Sequence, residues 1–339
     1  MQPLDTTDRR ILDLIQRRFP LVSRPFLQIA EQVGATESDV IERLARLKQD
    51  GMVREICAVF DSERLGYRST LAAMAVEPAR LDEVAALVSA HPGVSHNYER
   101  THEFNLWFTL TVEPDRSIER EVERLAHEAR VASFLVLPAI RRFKIGVDFD
   151  LGTRGSEDGS QASGFGAGDR GQDSALRTQD SGLGEAEKNV VRRLQHDFPL
   201  EPRPFERLAA NAGMREENLL AIAKRFLATG VLRRIGAILH HRRVGYLANA
   251  MGCWVVPAEQ IEEAGCRAAG ERAVSHCYER PSFPPRWPYN FYTMIHARGD
   301  DEVRGVVERL RAAIQPADYA ILFSRREFKK KRVHYFEER

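Results

Sequence analysis

The sequence predicts an α+β protein built as a tandem repeat, in which each copy joins a winged helix-turn-helix domain to a ferredoxin-like βαββαβ domain. Two observations carry this prediction. The strand-like motif Val94–Arg100 returns as Val274–Arg280 with one residue changed. In each copy, three helical patterns and a β-rich run precede an alternation of strand and helix signals. The chain is therefore predicted to contain two related units.

The repeat keeps a constant register over the first half of each copy. Gly34 matches Gly213 at an offset of 179 residues, and several other matches share this offset. The offset rises to 180 at the strand motif and to 185 at Asn105 and Asn290. The larger step comes from an insert in the second copy, Pro281–Tyr289, which is predicted to form a longer loop beside the repeated motif.

The first part of each copy has the pattern of a winged helix-turn-helix. A polar start at Asp5–Asp8 precedes apolar residues at helical spacing, and a second short helix is predicted around Phe26–Gln32. A third helix is capped by Thr36 or Ser38. The run Met52–Phe60 is rich in β-forming residues and completes the winged pattern.

The second part of each copy alternates strands and helices in the order βαββαβ, which is ferredoxin-like. In the first copy the predicted elements are a strand at Gly66–Val76, a helix at Arg80–Ala90, strands at Gly93–Arg100 and Asn105–Val112, a helix at Ile118–Ala129, and a final strand or strand pair at Ser133–Val147. This fold alone does not predict a function, because the same architecture serves many chemistries.

Five segments follow from these patterns. They are a winged helix-turn-helix at 1–62, a ferredoxin-like domain at 63–151, a linker at 152–183, a second winged helix-turn-helix at 184–241 and a second ferredoxin-like domain at 242–339. The linker is predicted from its many glycines and small polar residues, with almost no large apolar side chain. Such a segment behaves as a flexible coil with a root-mean-square span of roughly 30 Å.

Composition narrows the function classes. Lys and Arg number 50 against 49 Asp and Glu, so the chain lacks the cationic bias of a dedicated nucleic-acid binder. The four cysteines lack C-x-x-C spacing, which predicts reduced thiols and neither a disulfide framework nor a metal site. No apolar stretch approaches 18 residues and no signal peptide is recognisable, so we expect a cytoplasmic protein with no membrane partner.

The repeated strand carries the candidate chemistry. Alternate residues of a strand share one face. The shared face is predicted to carry His96, Tyr98 and Arg100 in the first copy and His276, Tyr278 and Arg280 in the second. Each row offers a proton donor, a phenol and a permanent cation, which is typical of a site for a flat anionic molecule. A single strand histidine is more often structural, but two matched rows favour a site.

Longer motifs resemble a known family. A winged helix followed by βαββαβ resembles the Lrp/AsnC regulators. The repeated Phe-Pro-Leu of both copies, the stretch Ser95–Phe108, and Ser275–Pro281 followed by Trp287–His296 resemble more narrowly the two paired subunits of the siroheme decarboxylases. The tandem arrangement is similar to the fused D-L type of heme d1 biosynthesis.

The resemblance implies a reaction and its partners. The substrate would be siroheme, which loses carbon dioxide from its acetate groups at ring carbons 12 and 18. No separate cofactor is implied, since iron enters as part of the substrate. The two halves would form an intramolecular pseudo-dimer, with a further homodimer and a paired G-H-type protein as possible partners, and DNA binding is not expected.

The resemblance and the residue chemistry together give candidate site residues. The catalytic candidates are His276, His96, Tyr278 and Tyr98, since histidine transfers protons near neutral pH. The substrate-binding candidates are Arg100, Arg280, Arg286, Trp287, Tyr289, Asn290, Trp107, His296, Arg141 and Lys329, with Lys144 and Tyr292 as further members. His276 is expected to be the principal acid because the insert lies next to its strand.

Several of these residues have a structural alternative. The tyrosines either donate protons or orient the histidines. Trp107 is equally a candidate for interface packing, and His296 for the core. Arg141 and Lys329 are also candidates for charged surface side chains that are solvated by water.

Two other functions remain open from the sequence. One is a DNA-binding regulator that senses a tetrapyrrole or small acid, with its recognition helix at Glu37–Lys48. The net charge of that helix is close to zero, whereas a DNA-recognition helix normally presents cationic side chains to the phosphates. The other is a tetrapyrrole carrier, which would bind the molecule without releasing carbon dioxide.

Overall fold

The computed structural model describes residues 4–145, 182–239 and 248–337. The predicted linker at 152–183 lies outside this part of the chain except for its last two residues. None of the helices described within these ranges is long and apolar enough to cross a lipid bilayer.

The first copy begins with three helices and one strand: α1 (Thr6–Arg17), α2 (Pro25–Val33), α3 (Glu37–Gln49) and β1 (Val53–Phe60). Local chemistry sets these boundaries. Asp5 and Asp8 form a reciprocal capping box at the start of α1. Gly34 ends α2 in a left-handed conformation with φ of 74°, which favours glycine, and Thr36 caps α3 through Asp39 N.

The ferredoxin-like part of the first copy follows the predicted order. Its elements are β2 (Arg68–Met74), α4 (Leu81–Ala90), β3 (Val94–Arg100), β4 (Leu106–Val112), α5 (Ile118–Glu128), β5 (Phe134–Pro138) and β6 (Arg141–Ile145). The run predicted as a final strand or strand pair is thus a pair.

The second copy repeats this order. Its elements are α6 (Glu185–Leu194), α7 (Pro204–Asn211), α8 (Glu216–Thr229), β7 (Leu232–Leu239), β8 (Ala248–Val255), α9 (Ile261–Gly270), β9 (Val274–Glu279), β10 (Phe291–Ala297), α10 (Asp300–Ile314) and β11 (Asp318–Lys330). The last strand of this copy is continuous over 13 residues.

The two winged helix-turn-helix domains share one β-ribbon. β1 pairs with β7 in an antiparallel two-stranded sheet, with Cys57 opposite Gly236. The β-rich run predicted at Met52–Phe60 thus forms its ribbon with the corresponding run of the second copy. β7 packs closely against α1 of the first copy, because a Cβ atom at Gly236 would lie 2.6 Å from Ile15 O. The apolar cores also merge, with the rings of Phe19 and Phe198 5.8 Å apart. These domains therefore hold the two halves together.

The ferredoxin-like domains exchange strands as well. One nine-stranded sheet runs in the order β5-β2-β4-β3-β11-β8-β10-β9-β6. β5 pairs with β2 of its own copy, whereas β6 pairs with β9 of the other copy. β11 joins the two copies as a single strand, because its first half pairs with β8 of its own copy and its second half pairs with β3 of the first copy. Separating the copies would therefore break backbone hydrogen bonds at two seams.

Each half of the long sheet has a helix-covered face and an inner face. Helices α4 and α5 cover one half and α9 and α10 the other. The inner faces meet in a buried cluster that contains Ala73, Phe104, Trp107, Leu135 and Leu137 from the first copy and Met251, Cys253, Trp287, Tyr292 and Leu322 from the second. The molecule is a pseudo-dimer in which the two inner faces pack against each other.

Candidate active site

The predicted row of the second copy forms on the inner face. On β9 the ring centroids of His276 and Tyr278 lie 6.1 Å apart and the rings are stacked. The guanidinium carbon of Arg280 lies 4.6 Å from the centroid of the Tyr278 ring. Tyr278 and His276 stand opposite Tyr292 and Met294 of β10, both of which join the packing between the inner faces. The three side chains therefore share one face, as the alternation predicted.

The first copy repeats this arrangement on β3. The stacked rings of His96 and Tyr98 have centroids 6.2 Å apart, and Arg100 lies 5.5 Å from the Tyr98 ring. Tyr98 stands opposite Trp107, a member of the inner cluster. His96 stands opposite Lys330 on its other side, because β11 of the second copy borders β3.

Both histidines are held in the neutral form. Burial, and then the charges of Lys330 and His276, lower the pKa of His96 to about 4. Burial, and then the charges of Arg280 and Arg233, lower the pKa of His276 to about 4. The charge of His276 is thus one of the influences on the pKa of His96.

A serine fixes each imidazole. Ser95 Oγ lies 2.9 Å from His96 Nδ1, and Ser275 Oγ lies 2.8 Å from His276 Nδ1. With Nδ1 engaged in both copies, Nε2 is the nitrogen that remains to face a bound molecule. Burial raises the pKa of Tyr278, so its phenol stays protonated at neutral pH.

Cations from the shared ribbon influence the pKa values of the two histidines. The charge of Arg54 on β1 lowers the pKa of His96, and the charge of Arg233 on β7 lowers the pKa of His276. The charges of Arg142 on β6 and of Arg233 oppose the effect of burial on the pKa of Tyr278. These arginines are partly exposed, with 27% of the Arg54 side chain, 28% of Arg233 and 32% of Arg142 accessible to solvent. They can therefore meet a ligand.

Arg54 and Arg233 were not predicted from the sequence, although one signal was available. The two arginines match at the offset of 179 that relates the two copies. Each now has one acidic neighbour, Glu55 at 2.9 Å from Arg54 and Asp61 at 2.8 Å from Arg233.

The arginines of the two rows are buried more deeply. Arg100 Nη1 donates to Leu322 O over 3.1 Å, and Arg280 Nη1 donates to Leu137 O. Among the residues that the structure describes, neither guanidinium pairs with a carboxylate, and the buried Nε of each has no hydrogen-bond partner. Burial lowers the pKa of Arg100 to about 10 and also lowers the pKa of Arg280. Unpaired buried cations are costly and need a functional reason.

The predicted aromatic walls are part of the inner cluster. Trp107 and Trp287 are fully buried, with ring centroids 5.2 Å apart. Trp107 Nε1 donates to Phe104 O over 2.6 Å, and Trp287 Nε1 donates to the Tyr292 hydroxyl over 2.6 Å. The half-buried Tyr289 packs against Trp287 with centroids 4.9 Å apart. In this structure the tryptophans fill the space between the two halves of the sheet, which matches the packing alternative for Trp107.

The remaining candidates lie around this core. Asn290 donates to and accepts from the backbone of Val256, as Asn105 does with Val76, so both close a loop. His296 is half-buried, two residues beyond Met294 on β10. Arg286 is exposed in the insert, 5.1 Å from the Phe104 ring. The structure does not bring Asn290 to the histidine end of the site.

Two predicted lysines cap helices instead of facing the site. Lys329 Nζ donates to Ser89 O over 2.7 Å and to His91 O over 3.0 Å, at the end of α4. Lys144 Nζ donates to Glu271 O over 2.9 Å, at the end of α9. Cations are favourable at this end of a helix. Both lysines thus lie on the helix side of the sheet, away from the inner face.

Arg141 is also engaged elsewhere. Its side chain is 43% exposed and pairs with Glu262 at 2.6 Å and Glu279 at 3.2 Å. This placement agrees with the solvated-charge alternative and leaves the neighbouring Arg142 as the β6 arginine that acts on Tyr278.

Comparisons with known proteins identify relatives of this chain. A family profile described as the siroheme decarboxylase NirDL-like HTH domain matches residues 8–54 and 187–233. A profile described as the AsnC-like ligand binding domain matches residues 64–144 and 243–329. A siroheme decarboxylase of Hydrogenobacter thermophilus is 44% identical over 330 residues, which cover 97% of this chain and 95% of that protein.

Solved structures and two-subunit relatives extend the likeness. The crystal structure of the siroheme decarboxylase NirDL matches with a TM-score of 0.75 and 39% identity, over 98% of this chain and 95% of that one. The beta subunit of the Desulfovibrio desulfuricans enzyme is 41% identical over 150 residues, 44% of this chain and 94% of that subunit. The chain therefore belongs to the siroheme decarboxylase family of carbon–carbon lyases.

Proposed function

We propose that this chain removes carbon dioxide from the C12 and C18 acetate groups of siroheme, giving 12,18-didecarboxysiroheme for the synthesis of heme d1 or a related heme. The observation that carries the proposal is the pair of His-Tyr-Arg rows on the inner faces of the two sheet halves, together with the cations of the shared ribbon that influence the histidines. A relative of this chain, NirDL, has also been crystallised in co-complex with an iron-uroporphyrin III analogue.

The chemistry needs an acid more than a redox group. When the bond between the acetate methylene and its carboxylate breaks, the electron pair must pass into the macrocycle. Protonation of the ring beside the acetate prepares it to accept that pair, and transfer of the proton to the exocyclic carbon completes the methyl group. Each decarboxylation thus consumes one proton and releases one carbon dioxide. We assign the principal acid to His276 and the assisting role to His96.

The histidines need the substrate to become acids. Both are neutral near pH 7, because their pKa values lie near 4. A carboxylate placed among Arg54, Arg233 and Lys330 offsets the cations that lower these pKa values. The substrate would then draw a proton onto the imidazole only when it is bound, which prepares the acid at the moment of use.

This coupling predicts proton uptake on binding. Titration of the protein with an inert iron porphyrin carboxylate at pH 7 is expected to take up between about half a proton and two protons per complex. Because the pKa values rise on binding, affinity should increase as the pH falls from 8 to 6. Calorimetric titration in buffers of different ionisation enthalpy measures the uptake. A His96→Gln, His276→Gln double variant should lose most of it, and unchanged uptake would contradict the assignment.

The partly exposed arginines are proposed to hold substrate carboxylates. Replacing Arg233 with lysine keeps a partner for Asp61 but removes the planar fork that binds a carboxylate bidentately. We expect KM for siroheme to rise about tenfold with a smaller change in kcat. Arg54→Lys is the equivalent change in the first copy, and Arg207→Lys on the exposed surface is the matched control. Equal KM values for all three variants would rule out this role.

The test of the function itself is an anaerobic incubation of the purified chain with siroheme, followed by mass spectrometry of the tetrapyrrole. Two successive losses of carbon dioxide are expected. Tight binding without a mass change would favour a carrier, and no binding would remove the proposal. The same protein examined by light scattering, alone and with a G-H-type protein, tests the predicted homodimer and partner.

The regulator alternative receives less support from the charges of α3. Arg43 pairs with Asp5 at 2.6 Å and Asp8 at 3.0 Å, and Arg46 pairs with Asp8 at 2.6 Å. Lys48 pairs with Asp197 of the other copy at 2.6 Å. These basic groups of the predicted reading helix are thus engaged by acids of the same chain, whereas DNA binding needs them for phosphates.

A further inference from the structure

The segment Lys331–Glu337 continues beyond β11 and ties three parts of the molecule together. Arg332 Nη2 donates to Ala58 O of the shared ribbon over 2.8 Å. The ring of Tyr335 then packs against Tyr67 with centroids 5.0 Å apart. The segment finally reaches the end of α6 in the second winged helix-turn-helix domain.

Three possible metal ligands meet where this segment contacts α6. One donor atom each of His196, His334 and Glu337 lies within 4.8 Å of the others. The two imidazole rings have centroids 4.6 Å apart, and His196 Nε2 lies 2.9 Å from Glu337 Oε1. The side chains of His196 and Glu337 keep 46% and 44% of their surface open to solvent, so an ion has direct access.

Neighbouring groups hold this cluster in place. Gln195 Nε2 donates to Glu337 Oε1 over 3.0 Å and to Tyr335 O over 3.1 Å, while Gln195 Oε1 accepts from Tyr335 N over 2.8 Å. Phe336 N donates to the Tyr67 hydroxyl over 2.8 Å. Partners of this kind orient ligand side chains in metal sites, and here they fix the backbone between His334 and Glu337.

We propose that His196, His334 and Glu337 bind a divalent transition metal ion of the zinc class. Two imidazoles and one carboxylate suit zinc, cobalt or nickel, whereas magnesium and calcium take oxygen ligands. Donors at about 2.0–2.2 Å from a tetrahedral ion lie roughly 3.4 Å apart. Small rotations of exposed side chains reach that spacing, and the fourth position goes to water.

The ion would act as a clamp on the end of β11. Lys330, the last residue of that strand, stands opposite His96 in the sheet, and Lys331 N donates to Ser95 O over 2.8 Å. Fixing His334 and Glu337 on α6 would anchor this strand end to the second winged helix-turn-helix domain. The site is built from residues outside the two histidine rows, so it stands independently of the proposed catalysis.

The test uses the full chain after treatment with a chelator. Titration with Zn²⁺ is expected to show one ion per chain and to raise Tm by several degrees when zinc is in large excess over Kd. Co²⁺ in place of Zn²⁺ should give the visible absorption of a four- or five-coordinate centre. His196→Gln, His334→Gln and Glu337→Gln should each weaken binding at least tenfold while leaving the metal-free Tm close to that of the parent.

Matched variants separate this site from adventitious binding. His127→Gln, on the exposed surface of α5, and Cys266→Ser, which removes an exposed thiol, should leave Zn²⁺ affinity unchanged. The proposal is overturned if no stoichiometric binding occurs, if His334→Gln binds as tightly as the parent, or if Cys266→Ser abolishes binding. Siroheme turnover is not a readout, so a failure here leaves the catalytic proposal intact.

Discussion

Replacing His276 with alanine is expected to lower the rate of carbon dioxide release from siroheme by about 10²–10⁴-fold, the range that general acid catalysis contributes. The imidazole lies on the inner face, with Nδ1 held by Ser275 and its ring stacked on Tyr278. Alanine removes the proton donor but leaves the cations of the ribbon in place. Substrate affinity should therefore change much less than turnover, which anaerobic single-turnover measurements followed by product mass can separate.

The equivalent variant of the first copy gives the comparison. His96→Ala is expected to reduce turnover less than His276→Ala, since His96 is assigned the assisting role. His127→Ala, on the exposed surface of α5, serves as the control and should behave as the parent. If the double variant His96→Ala, His276→Ala released carbon dioxide at the parental rate, the histidine mechanism would be wrong.

Much of this architecture follows from local patterns in the sequence. Strand alternation placed His276, Tyr278 and Arg280 on one face, and the structure confirms it: Arg280 follows directly after β9 and lies over the Tyr278 ring. The repeat offset predicted two related copies, and the two halves of the nine-stranded sheet correspond to them. Patterns within about ten residues thus carry reliable information about faces and element boundaries.

Long-range pairing explains what the sequence analysis missed. Lys329 was assigned to the site, but a register shift between Glu327 and Lys329 places it beside Asn97, whose side chain donates to Ala85 O of α4. Asn290 carried no sign that its partner would be the backbone of Val256. The role of Arg233 depends on a ribbon shared between copies, and a strand does not encode which remote strand it will join.

Replacing Arg280 with methionine is expected to raise stability and lower activity at once. Arg280 is half-buried and has no carboxylate partner in the part of the chain that the structure describes, and its buried Nε lacks an acceptor. Hydrophobic replacement of buried charges often stabilises a protein by about 1–4 kcal/mol, so we expect the free energy of unfolding to rise by about 1–2 kcal/mol. Leu137 O loses one donor, which limits the gain.

Activity should fall at least tenfold in the same variant. Arg280 supports the Tyr278 ring at 4.6 Å and is the charge that most lowers the pKa of His276. Without it, the pKa of His276 in the unliganded protein should rise, although burial still holds it below its ordinary value. Because His276 is the proposed acid, the limb of the pH–rate profile on which the rate falls with increasing pH should move to higher pH.

Arg100→Met and Arg280→Lys complete this experiment. Arg100→Met should show the same stabilisation with a smaller loss of turnover, because its row belongs to the assisting histidine. Arg280→Lys keeps a buried cation and should gain no stability, which separates charge removal from a change of packing. Denaturant unfolding measures the first effect, and siroheme turnover the second. If Arg280→Met were less stable than the parent and kept parental turnover, Arg280 would serve the fold alone. A group that is kept for function at the expense of stability must instead give a variant with higher stability and lower turnover.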